Sequence, residues 1–142
     1  MHNTTFLSLA VAVVTATAAA LPSTSSSSEQ VPRLLQPRGC YTSGASWGDS
    51  KAYALELAAA ACNGGLGQRT YTSDSSVATV CYNIDTNKRV NFQVSKISAG
   101  DRFLNAADCQ DGLTKEINGC GQGGDSSYTN WRYISDPNDG LC

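Results

Sequence analysis

The chain has 142 residues, ten basic and twelve acidic side chains, a net charge of −2 at pH 7 and 41% hydrophobic residues. A slightly acidic chain without a basic stripe excludes nucleic acid and anionic membrane surfaces as natural partners. The only histidine is His2, so a chain that loses its leader has no imidazole for acid–base chemistry near neutral pH.

Residues 1–20 read as a secretory signal. An apolar core runs from Phe6 to Val14, and Ala18-Ala19-Ala20 offers small residues for cleavage, although the start lacks Lys and Arg. The apolar run is too short for a membrane span, and no membrane insertion is expected. Residues 21–38, with Pro22, Pro32, Pro37 and the run Ser25 to Ser28, cannot bury much apolar surface and read as a disordered linker or pro-segment. Residues 39–142 then form one small domain. All six cysteines (Cys40, Cys62, Cys81, Cys109, Cys120 and Cys142) fall in it. An even count behind an export signal reads as three disulfides in a secreted, extracellular protein. No pair has C-x-x-C spacing, so neither metal nor cofactor is expected.

In chain order, a short strand at Cys40–Thr42 precedes a helix that starts at Ser46-Trp47-Gly48-Asp49 and runs to Cys62. Arg69–Ser73 is a polar edge strand and Val77–Ile84 a β-branched one. Asp85-Thr86-Asn87-Lys88 makes a turn, after which Val90, Phe92 and Val94 alternate with polar residues. A second helix starts at Ser98-Ala99-Gly100-Asp101 and passes through Phe103, Ala106, Leu113 and Ile117. Both starts fit a capping box, and both ends (Asn63-Gly64 and Asn118-Gly119) offer a glycine for a left-handed cap. A last strand covers about residues 129–135, and Asp136-Pro137-Asn138-Asp139-Gly140 reads as a turn. The order predicts an α+β fold: a two-layer sandwich of split β-α-β type, with two helices on a four- to five-stranded sheet. Three pairs allow 15 connectivities. A Cys81–Cys109 bridge follows if Cys81 faces the helices, with Cys142 tied to Cys120 or Cys62.

The glycine-rich run Gly119–Gly124 lacks the ending of a phosphate loop and reads as a flexible surface loop. It is flanked by Gln122, Asp125, Tyr128, Asn130, Trp131 and Arg132. Aromatic rings stack on the C–H faces of sugars while carboxylates, amides and guanidinium groups bind the hydroxyls, so these six residues are the candidate glycan site. Asp108 and Asp111, three apart on the second helix, could form a hydrolytic pair, but a solvated helix face explains them as well. No catalytic residue is assigned.

Three stretches resemble a known family. The opening Cys40-Tyr41-Thr42-Ser43-Gly44-Ala45-Ser46-Trp47-Gly48, the run Glu116-Ile117-Asn118-Gly119-Cys120-Gly121, and the closing Asp136-Pro137-Asn138-Asp139-Gly140-Leu141-Cys142, together with Trp131, resemble small secreted mushroom glycan-binding proteins of the "Y-three" type. The resemblance implies an α/β sandwich, disulfides, secretion and lectin-like recognition of glycans, and it implies no enzyme. Expected partners are glycans or glycoproteins, with a homodimer or multivalent display for avidity, in fungal defence. Secreted killer toxins and effectors that act on a protein target share the split β-α-β architecture and are the alternative.

Overall fold

The computed structural model describes residues 39–142. The expected export signal and the Ser/Pro-rich segment, residues 1–20 and 21–38, lie outside the described residues.

A single 3-10 turn at Gly48–Ser50 leads into α1 (Lys51–Ala61). The inward face of α1 is alanine: Ala54, Ala58 and Ala61 are buried, and their small side chains let the helix lie close to its neighbours. The expected capping box does not form. Neither the 3-10 turn nor α1 carries a side-chain cap hydrogen bond, and the Ser46 carbonyl instead accepts from Lys88 Nζ at 3.0 Å. A wide turn, Cys62–Leu66, closes α1, and its left-handed residue is Gly65 (φ 134°) rather than the expected Gly64.

Four strands follow: β1 (Arg69–Tyr71), β2 (Val77–Asp85), β3 (Lys88–Lys96) and β4 (Arg102–Leu104). Then come α2 (Ala106–Gly119), β5 (Gly124–Tyr128) and β6 (Trp131–Asp139). The fold is α+β. Strands β2-β3-β6-β5 make a four-stranded antiparallel sheet, and β1 and β4 pair separately in a two-stranded one. The expected strand at Cys40–Thr42 reduces to a single bridge, Cys40 to Gly124, at the β5 edge. α1 packs over β2 and β3, and α2 over β5 and β6.

The core lies between helices and sheet. Val90, Phe92 and Val94 of β3 and Tyr133 of β6 meet the alanines of α1 and Leu113 and Ile117 of α2 in one buried cluster. Burying a side chain such as Phe92 or Leu113 contributes about 1.5–3 kcal/mol. Trp47 is buried too, with its indole N–H donating to the Cys120 carbonyl at 2.8 Å. Among the described residues no helix is long and apolar enough to cross a membrane.

Further expectations need correction. The second helix does not begin at Asp101. Phe103 is exposed and Leu104 buried, the two-residue alternation of a strand, and Arg102–Leu104 pairs with β1. The true cap of α2 is Asn105, whose side chain accepts from Asp108 N at 2.8 Å and donates to Asp108 Oδ2 at 2.9 Å. At its other end, Gly119 is the last helical residue, and the C-cap Cys120 is extended, not left-handed. The segment Asp136-Pro137-Asn138-Asp139 is strand, paired with β3 through Asn91↔Asp136 and Val90↔Pro137. β5 stops pairing at Ser135, so Pro137 lies where β6 has become an edge and its missing N–H leaves no ladder bond unmade.

The glycine run is not a flexible loop. Cys120, Gly123 and Gly124 are buried, and the Gly121 and Gly123 carbonyls accept from the backbone N–H groups of Trp47 and Tyr41. The disulfides are Cys40–Cys120, Cys62–Cys109 and Cys81–Cys142, so the expected Cys81–Cys109 pair and the expected partners of Cys142 do not occur. On β2, Ala78, Val80, Tyr82 and Ile84 turn toward the core. Cys81 therefore points to the opposite face, where Cys142 reaches it.

Candidate functional site

A groove of about 320 Å³ opens between α2 and the tip of the β5–β6 hairpin. Asp108, Asp111, Gly112 and Lys115 of α2 form one wall. Their spacing of three and four residues puts them on one helical face. Tyr128, Thr129, Asn130 and Trp131 form the other wall, and Tyr133 lies at the floor. The hairpin turn is only two residues long, Thr129-Asn130, because Tyr128 pairs with Trp131. Thr129 takes a left-handed conformation (φ 49°), which is costly for a β-branched residue. The Asn130 carbonyl holds the turn by accepting from Ile97 N at 2.9 Å.

The aromatic side chains are held from behind. Trp131 meets Tyr71 edge-to-face, with ring centroids 5.2 Å apart. The Tyr71 hydroxyl donates to the Leu66 carbonyl at 2.7 Å. The Tyr128 hydroxyl donates to Glu116 Oε1 at 3.0 Å, and Ser126 Oγ donates to Oε2 at 2.9 Å, so a fully buried carboxylate fixes this side of the groove. Burial, and then the bond to Glu116, pushes the Tyr128 phenol above its ordinary pKa. Tyr133 is 3% exposed and lies flat against Gly112, where any Cβ would come within 2.5 Å of the ring. Burial, and then the charges of Asp108 and Asp111, push its phenol up as well. Both hydroxyls therefore stay protonated through the physiological range.

On the helix wall Lys115 is paired with Asp111, and its ammonium lies 5.2 Å from the Tyr128 ring centroid. Asp108 accepts from the Asn105 amide. The groove thus offers two aromatic rings on one wall, carboxylate acceptors, an amide, an ammonium and a phenol floor. This set can stack a flat C–H face and bind several hydroxyls.

Of the six candidate residues, three come together here: Tyr128, Asn130 and Trp131. Asp125 and Arg132 alternate with the groove residues and lie on the opposite face of the sheet. There they form a two-pronged ion pair, with Arg132 Nε 2.7 Å from Asp125 Oδ1. The Asp125 carboxylate holds the Arg132 guanidinium above its ordinary pKa. Gln122 donates to the Gly44 carbonyl at 3.0 Å and braces the chain that leads to α1. Lys115, Thr129, Gly112 and the site role of Tyr133 were missed. The sequence signal was available for the helix side: Asp108, Asp111, Gly112 and Lys115 share a helical face. No protein-family model matches the chain, and no curated protein matches it.

Proposed function

We propose that the protein is a secreted, lectin-like carbohydrate-binding protein of fungal-defence type, and that a sugar binds in the groove between α2 and the β5–β6 hairpin. One observation carries the reading. Trp131 and Tyr128 stand opposite a helix face of Asp108, Asp111 and Lys115, with the Asn130 amide at the rim. A sugar ring stacks on the aromatic side while the polar groups exchange hydrogen bonds with its hydroxyls. Three disulfides support an oxidising, extracellular setting. Tyr128 is tied down by Glu116, and Asp111 and Lys115 by each other, so the wall acts as a preformed receptor rather than as a catalytic centre. A shallow single site of this kind binds at around 1 mM, or about −4 kcal/mol. Display of several copies raises avidity without a new contact.

A glycan array with the oxidised protein tests the reading. Binding to one related set of glycans, lost in Trp131→Ala, is the expected result. That substitution costs about 2–3 kcal/mol of stability through half-buried area and the lost ring contact with Tyr71. Circular dichroism and disulfide mass must therefore show a folded variant. A folded wild type that binds no glycan contradicts the reading and favours the toxin or effector alternative, which predicts growth inhibition that free sugars do not relieve.

A further inference from the structure

The charges around the groove are unbalanced. Two carboxylates, Asp108 and Asp111, face it together with one ammonium, Lys115. Lys115 is already engaged by Asp111. Asp108 is met only by the neutral Asn105 amide, and no cation pairs with it among the described residues. Nearby cations are turned away. Arg132 is bound to Asp125 on the far face of the sheet, and Lys96, across from Trp131 in β3, donates to the Ser98 carbonyl. At the floor, Tyr133 is 3% exposed, and its hydroxyl makes no side-chain hydrogen bond among the described residues. The ring lines the groove together with Asp108 and Asp111, and burial first and the charges of these two carboxylates second raise the pKa of its hydroxyl.

A group entering beside Asp108 meets a carboxylate, a phenol oxygen and the faces of aromatic rings. These favour a cation, because carboxylate and ring faces both attract positive charge. The protein shows the arrangement once already: the Lys115 ammonium lies beside Asp111 and over the Tyr128 ring. An anionic sugar meets the opposite, with Lys115 as its sole and already committed partner.

We propose that the groove selects basic amino sugars, with the protonated amine of a glucosamine-type residue seated against Asp108 and the Tyr133 hydroxyl while its ring stacks on Trp131. The proposal rests on the sugar-binding reading and names the ligand class of that same site.

The test is calorimetric titration of the full oxidised protein with a β-linked glucosamine trimer and with its fully N-acetylated counterpart, which lacks the charge. The amine form is expected to bind about tenfold more tightly. Asp108→Asn keeps the shape and an acceptor for Asn105, and it should bring the affinity ratio of the two trimers close to one, the amine form losing about tenfold more than the acetylated form. Lys115→Gln frees Asp111 and should strengthen amine binding several-fold, a gain that a merely structural role for Lys115 would not produce. Equal or tighter binding of the acetylated trimer overturns the proposal and leaves the sugar-binding reading standing. A preference for the amine that survives Asp108→Asn also overturns it, because the charge is then read elsewhere. If neither trimer nor any arrayed glycan binds, both readings fail.

Discussion

Thr129 is the residue where the hairpin holds strain. A threonine in the left-handed region carries its branched Cβ against its own backbone, at a cost of about 1–2 kcal/mol. Thr129→Asn places a residue that tolerates this conformation at the same turn. We expect it to stabilise the fold by about 1 kcal/mol, read as a higher denaturant midpoint at unchanged slope. No change would mean that the turn relaxes in solution. Gly112 is the other small-scale constraint. It is buried in mid-helix, and its missing side chain makes room for the Tyr133 ring. Residue type alone pointed to Tyr128, Asn130 and Trp131 as site residues. It could not separate them from Asp125 and Arg132, because neighbours along a strand face opposite ways and only the register shows which face meets α2.

At the scale of elements, helix α2 does two jobs. Its apolar face (Leu113, Ile117 and Cys109) closes the core, and Asp108, Asp111 and Lys115 form the groove wall. The period of apolar residues made both helices legible, and the alternation of Val90, Phe92 and Val94 made β3 legible. The start of the second helix was misread because Ser-x-Gly-Asp is as good a turn as it is a cap. Packing of Leu104 beneath β1 decided for a strand at Arg102–Leu104. β5 was illegible because Gly124-Asp125-Ser126-Ser127 has almost no strand propensity. Its pairing with β6 and the Glu116–Ser126 bond hold it instead. Cys81–Cys142 was equally hidden. Alternation on β2 left its direction open until Val80 and Tyr82 were seen to face the core.

At the scale of the molecule, one sheet face carries both helices and the core, and the three disulfides close separations of 80, 47 and 61 residues. In a domain of this size such links supply a large share of the net stability, at about 2–4 kcal/mol each. Buried phenols set the alkaline limit. Burial raises the Tyr71 phenol from 10.0 to about 12, and Tyr133 and Tyr128 are raised as well. Above pH 10 the unfolded chain gives up these protons while the folded one keeps them, so unfolding releases protons and stability falls as pH rises. We expect stability to be independent of Tyr71 below pH 10, then to fall on its account by at most about 1.4 kcal/mol per pH unit until the folded phenol itself titrates at about 12. Denaturant unfolding across that range checks it, and a flat profile up to pH 12 would show that the rings are not shielded.

Sugar binding in the α2–hairpin groove is the central claim, and the chain supplies its own control. It has two tryptophans. The Trp131 indole lines the groove, while the Trp47 indole N–H is buried and bonded to the Cys120 carbonyl. The direct measurement is a nitrogen–proton NMR titration of the oxidised protein with a bound glycan from the array. The account predicts that the Trp131 indole and the Asn130 side-chain amide shift together while the Trp47 indole stays fixed. Shifts confined to the open sheet face, at Asn91, Gln93 and Asn138 with Trp131 and Asn130 unmoved, would contradict it.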